Sequence, residues 1–252
     1  MLEILLQQYK LLLKELDKSC AKAQKLIPKI PCKLGCSDCC KQLFPLSMIE
    51  AFYINKGFKL LDRNTRRELA SKAKKAQEKL QKLNLKQFET TSLNLEDIAL
   101  NRNEFTRILQ STKQICPLLS DKNLCLLYPY RNHDCRIHGV SFDPSTNEII
   151  GCSRHSKIFT NPGLKNKFVK NAVENGYLYK EKSKLDSLLV KLLADSPPNN
   201  EKLAYCYYFT TPFVPLLKDY AEVDWGKFFG TESETAKMPW QKSYSMVIDC
   251  EY

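Results

Sequence analysis

The sequence predicts a mostly helical fold with one small α+β region rich in cysteine and stapled by metal. Three observations lead there. Leucines recur at helical spacing from the first residues, glycine is scarce, and eight of eleven cysteines fall in two tight groups. Eight glycines in 252 residues is about 3%, against about 7% in ordinary proteins. Glycine-rich phosphate folds and many-turned β-barrels are thereby disfavoured. Apolar residues at 43% and charged residues at 27% suit a globular chain and argue against a disordered or fibrous one.

The elements follow in order. Leu2, Leu5, Leu6, Leu12, Leu13 and Leu16 share one face of an amphipathic helix within residues 1–29. Its polar face is not strongly basic, so it reads as a core helix rather than a membrane-surface one. Pro28 and Pro31 interrupt the chain before the first cysteine group. Ser47 and Glu50 form a capping box that opens an apolar helix through Ile54. Thr65 and Glu68 form a second one, followed by a narrow stripe of Leu69, Ala73, Ala76, Leu80 and Leu83. A further helix is expected over about 95–112. Val140–Phe142 and Glu148–Ile150 read as short strands around an Asp-Pro-Ser-Thr-Asn turn. Helical pattern returns at 164–172 and 185–193, Pro197 and Pro198 mark a loop, and an aromatic tail with Tyr205, Tyr207, Tyr208, Phe209 and Trp225 is expected in the core. Three parts result: the helix of 1–29, a cysteine-cluster domain over 30–160, and a helical and aromatic extension over 161–252 packed on it.

The net charge is +11, unevenly spread. Residues 59–86 carry ten basic and three acidic side chains, while 219–252 carry seven acidic and three basic. A solvated helix face explains the basic stretch. A nucleic-acid partner is the alternative, although the stretch lacks the interleaved aromatics of a single-strand platform. Glu3 stands where a signal peptide would be basic, and no apolar run reaches membrane-span length. The expectation is a cytoplasmic protein with reduced thiols, where clustered cysteines bind metal or react more often than they bridge.

The first group is Cys32, Cys36, Cys39 and Cys40; the second is Cys116, Cys125, Cys135 and Cys152. On a helical turn, Cys36 would share a face with Cys39 and Cys40. Cys39 and Cys40 would diverge by about 100° from each other, which is awkward for one mononuclear ion. Two neighbouring sites, or a multinuclear cluster plus a second site, would use both sulfurs. Zinc and iron–sulfur clusters both accept thiolates, and spacing does not choose between them. His133, His138 and His155 are candidates for mixed ligation or for proton transfer beside a cluster. Lys33, Lys41, Arg131 and Arg136 adjoin the cysteines and could offset thiolate charge. No catalytic residue can be assigned: no P-loop, dinucleotide fingerprint or nucleophile elbow is present.

Cys32-x₃-Cys36-x₂-Cys39-Cys40, the capped helix with Glu50, Cys116-Pro-Leu-Leu, and the run from Cys125 through Tyr128-Pro-Tyr-Arg to Cys135-Arg136 together resemble the YkgJ-type cysteine-cluster proteins. Cys152 fits the last of that family's eight cysteines. The resemblance covers roughly 30–155. It departs at Asn132, where the family often has proline after the arginine. It implies a zinc- or iron-chelating domain, and a distant similarity to the flagellin lysine methylases, in which an iron–sulfur cluster is implicated. The eight cysteines are then the candidate metal and cofactor ligands. The leading expectation is an iron–sulfur cluster of the [4Fe–4S] kind with a redox or group-transfer role, as an oxidoreductase or a methyltransferase-like enzyme. A colourless zinc protein, docking a protein or nucleic acid through its basic helix, is the runner-up. A metal-free redox pair at Cys39 and Cys40 is third. A small-molecule partner is also compatible.

Overall fold

The computed structural model describes residues 1–26, 35–41, 45–82, 113–143, 148–150, 152, 158–193 and 209–210. Six α-helices run through them: α1 Leu2–Lys25, α2 Met48–Lys59, α3 Arg63–Lys82, α4 His133–Ile137, α5 Pro162–Val169 and α6 Asn175–Leu193. The strands are short: β1 Pro45–Leu46, β2 Ser141–Asp143, β3 Glu148–Ile150, β4 Val173–Glu174 and β5 Phe209–Thr210. The expected mostly helical architecture is therefore observed. The expected helix at 95–112, the loop at 197–200 and the aromatic tail apart from Phe209 lie outside the described residues.

Helix α1 buries the expected stripe, Leu2, Leu5, Leu6, Leu13 and Leu16, and extends it through Tyr9, Cys20 and Ala23. Leu12 is half-buried, and Ile4 and Leu11 face solvent. The stripe packs on α2, α4 and α6. Helix α2 is the centre of the core, buried almost all round, with Glu50 and Asn55 buried among Met48, Ile49, Phe52, Ile54 and Phe58. Gly57 belongs to this packing for a steric reason: a Cβ there would drive into the ring of Tyr130. Residues from all three parts of the chain, from Leu2 to Leu189, join in one hydrophobic core.

Helix α3 starts earlier than the sequence suggests. The cap is Asp62 rather than Thr65. Its Oδ1 accepts from the N–H groups of Asn64 and Thr65, both at 3.0 Å, and its Oδ2 accepts from the Thr65 hydroxyl at 2.6 Å. These bonds, the Thr65 hydroxyl first, hold the Asp62 carboxyl below its usual range. Glu68 turns instead to Lys72 at 2.7 Å. Leu69, Ala73 and Ala76 of the expected stripe are buried, with Arg63, Arg67, Lys74 and Lys75 exposed opposite, and the side chains of Leu80 and Leu83 lie outside the described residues.

The expected hairpin forms as β2 and β3, antiparallel with Ser141 opposite Ile150, one residue later than expected in its first strand. Strand β4 adds in parallel on the other side of β2, pairing Val173 with Ser141. That third strand had no sequence signal. Asn161 caps α5 by accepting from Leu164 N–H at 3.2 Å, and Pro162 occupies the first turn, where its missing N–H costs nothing. Helix α6 begins ten residues before the expected 185–193 pattern. Strands β1 and β5 pair antiparallel, bringing Phe209 to Leu46.

One polar group organises this core. Glu50 is fully buried. Its Oε2 accepts from Ser47 N–H at 2.9 Å, completing the expected capping interaction, and from Lys182 Nζ of α6 at 3.3 Å. Its Oε1 accepts from Tyr9 Oη of α1 at 3.4 Å and from His133 N–H of α4 at 3.1 Å. Beside it, Asp186 of α6 accepts from Ile49 N–H at 2.9 Å. Burial pushes the Asp186 carboxyl up to about 7, against the opposing pull of Lys182 and the Ile49 N–H.

Two outcomes are expected. Glu50→Ala removes the carboxylate from a buried pair and should cost about 3–5 kcal/mol in urea unfolding, because Lys182 stays buried at 4% exposure. Asp186 binds its proton more tightly folded than unfolded, so its contribution is fully present below the ordinary carboxyl value and is lost as pH rises towards 7. Asp186→Asn should therefore gain stability relative to the parent between pH 4 and 7, by at most about 4 kcal/mol. Denaturant midpoints across that range measure it; a constant difference would refute the assignment.

Candidate metal centre

Three chain segments bring six cysteines to one cavity. Cys36, Cys39 and Cys40 come from the turn after Gly35, Cys116 and Cys125 from a tight loop, and Cys135 from α4. Each segment has a local reason for its shape. Gly35 takes φ +90°, which favours glycine, and Asp38–Lys41 then winds as a 3₁₀ turn. In the second segment, Ser120 N–H bonds Leu124 O at 2.9 Å and Leu126 N–H bonds Leu118 O at 3.0 Å, folding Cys125 back beside Cys116. Asn123 at the tip adopts φ +58°, and its Oδ1 accepts from Ser37 Oγ at 3.3 Å. Cys116 N–H donates to Cys40 O at 2.8 Å. These two bonds fasten the cysteine segments to each other through groups other than sulfur. In the third segment, Asn132 caps α4, its Oδ1 accepting from Cys135 N–H at 3.2 Å.

The cavity holds about 60 Å³ and has apolar walls from Leu46, Ile54, Leu118 and Leu127. Tyr130 lines it as well, held by packing on Tyr53, which in turn meets Tyr9 edge-on at 5.3 Å. Arg131 is the cation at the cavity, stacked over Tyr128 at 3.6 Å and donating from Nε to Tyr128 O at 3.2 Å.

The thiols influence one another. A hydrogen bond from Cys40 brings the Cys39 thiol down to about 7, with Arg131 assisting. The same bond, with burial, pushes Cys40 up. Burial raises Cys116 to about 12 and raises Cys125 and Cys135. Neighbouring sulfurs add to the rise, Cys39 acting on each of the three. A shell of this kind disfavours several thiolates at once unless a cation joins them, and a bound cation inverts that preference.

The remaining candidates divide. Cys152 is half-buried beyond β3 and is not among the residues lining the cavity. Cys32, His155 and Lys33 lie outside the described residues. His133 and His138 do not line the cavity. His133 is buried on the Glu50 side, with Nδ1 3.2 Å from Asp134, and His138 ends α4. Lys41 faces Asp38 at 3.7 Å. Arg136, expected to offset sulfur charge, has another task. It donates to Arg131 O at 2.9 Å and Pro129 O at 2.7 Å and pairs with Asp17 of α1, so it clamps the Tyr128–Arg131 turn onto the first helix. Among the described residues, no group of three or more His, Cys, Asp or Glu side chains is placed so that it could hold a metal ion.

The sequence reading overlooked two features. A cleft of about 490 Å³ runs between α1 and the Tyr128–Arg136 segment, sharing Tyr128 and Arg131 with the cysteine cavity. Asn132, 1% exposed, lines the cysteine cavity while its Nδ2 has no hydrogen-bond partner. A buried amide donor left this way costs about 1–3 kcal/mol. Asn before a short acidic turn is a capping signal, but the second half of its side chain gives no sequence signal.

No family model, no curated protein and no solved structure matches this chain. No helix among the described residues is long and apolar enough to cross a membrane.

Cys39 should be the first of the cavity thiols to react in metal-free protein. Its alkylation rate, followed by peptide mass spectrometry, should rise with a midpoint near pH 7. Cys40→Ala removes the donor and should move that midpoint up towards the ordinary thiol value of about 8.5. An unchanged midpoint would exclude the hydrogen bond as cause.

Proposed function

We propose that this chain is a metal-binding protein whose centre is built on the cysteine cavity, in keeping with its resemblance to the YkgJ-type proteins. The observation that carries the reading is the convergence of Cys36, Cys39, Cys40, Cys116, Cys125 and Cys135, from segments far apart in sequence, on one cavity. Buried free cysteine is ordinary as a small hydrophobe. Six on one cavity, with a cation at its edge and an unpartnered amide donor beside them, fit a thiophilic metal better. The residues that would hold it are these six; the resemblance adds Cys32 and Cys152, of which Cys152 does not line the cavity.

Six thiols exceed the four that one tetrahedral ion takes. They equally exceed the four that a [4Fe–4S] cluster takes, so the count does not choose; the iron–sulfur reading, with a [4Fe–4S] cluster as its most specific form, rests on the resemblance. Such a cluster supplies electron transfer or, with an open coordination position, a group-transfer function. In this reading the protein's own contribution is the shell, with Leu46, Ile54, Leu118 and Leu127 to exclude water and Arg131 to offset negative charge. The cleft sharing Arg131 and Tyr128 is where a substrate or electron partner would approach. Zinc is the second reading. One observation favours it: about 60 Å³ is roughly the liquid volume of two waters, room for an ion or two. In that case the exposed basic face of α3 is the surface for a protein or nucleic-acid partner.

Anaerobic purification with metal and sulfide analysis separates the two. Iron with matching acid-labile sulfide and broad visible absorption is the expected result. Colourless protein with one or two zinc ions per chain would replace the redox reading by the structural one. Metal-free protein that takes up neither would end both. Cys135→Ser, which removes the α4 thiol from the cavity, should lower metal content strongly in either case.

A further inference from the structure

We infer that Asn132 is a positioning residue for the bound centre, donating a hydrogen bond from Nδ2 to a metal-bound sulfur in the cysteine cavity. The inference rests on the metal reading above and deepens it. Its own support is distinct. Asn132 is almost fully buried and lines the cavity beside Cys135. Its Oδ1 is committed to Cys135 N–H, which fixes the amide plane and leaves Nδ2 without an acceptor. Because the cap holds the side chain by its oxygen, the amide cannot turn round to relieve the nitrogen. The groups at hand in the cavity are thiols, and a thiolate or sulfide made electron-rich by metal binding is a good acceptor for such a donor.

The N–H···S bond would draw electron density from the sulfur. The centre would be bound more tightly, and its sulfur-to-metal charge-transfer absorption would lie at shorter wavelength. Cobalt(II) is a suitable probe, because it takes thiolate sites and its charge-transfer band reports sulfur directly. Metal-free protein is titrated with cobalt(II) under anaerobic conditions, for the parent chain, Asn132→Ser and Asn132→Asp. Both substitutions keep a capping oxygen and remove the unpartnered amide donor, so the metal-free melting temperature should not fall. Both lose the amide donor. Cobalt binding should weaken about tenfold or more, and the band should move to longer wavelength in both. Agreement between the neutral and the charged variant separates loss of the donor from added charge. If either variant melts early, the other carries the comparison, and the band position, which a capping defect would not move, decides. Equal affinity and an unmoved band in a folded variant would overturn the inference. Absence of any charge-transfer band in the parent chain would instead remove the metal reading itself, and this inference with it.

Discussion

A single buried carboxylate connects the parts of this fold. Glu50 sits at the start of the most buried helix and answers to four partners: its own helix cap at Ser47, Tyr9 from α1, the His133 N–H that opens α4, and Lys182 from α6. Withdrawing such a group from water is expensive unless its lone pairs are occupied. Here both oxygens are occupied, and each partner comes from a different element. The arrangement turns an energetic liability into a geometric specification, since an alternative packing of α1, α4 or α6 on α2 would strand the charge. The metal-ligand candidate Cys135 lies two residues beyond His133, so the carboxylate also fixes one wall of the cysteine cavity.

A second set of contacts carries that order to the sulfurs. Tyr9, Tyr53 and Tyr130 stack in sequence from α1 across α2 to the cavity wall, and Gly57 leaves the space in which Tyr130 rests. Arg136 spends its donors on the carbonyls of Pro129 and Arg131, so the turn carrying Tyr128, Tyr130 and Arg131 is held from behind. The charged residues near the cysteines thus separate by role. Arg131 faces the thiols, Arg136 supports the backbone, and Lys41 remains with Asp38 at the surface.

The legible part of the structure was the local part. Leucine spacing placed the buried face of α1, the Ser47–Glu50 pair placed the start of α2, and the Asp-Pro-Ser-Thr-Asn segment placed the β2–β3 hairpin, because periodicity and turn chemistry act over a few residues. The Asp62 cap was missed because Thr65 offers a similar signal three residues on; the carboxylate wins by serving two N–H groups and a hydroxyl together. Strand β4 was missed because a two-residue parallel pairing leaves no alternation to read. Within the site, cysteine spacing singled out eight residues, and six of them line one cavity. It did not show that Cys152 stands aside or that Arg136 faces away. Nor did it show that Glu50 and Asn132, each readable as a cap, have a second function that depends on partners distant in sequence.

The backbone bond from Cys116 to Cys40, with Ser37 on Asn123, has a consequence for exchange. A site whose segments meet only through a metal must come apart when the metal leaves, and its turnover is limited by refolding. Here the two segments are fastened by a carbonyl and an amide side chain, so their approach does not depend on anything held between the sulfurs. If the proposed metal binds there, its release and uptake would be ligand-substitution steps rather than a refolding of these two segments.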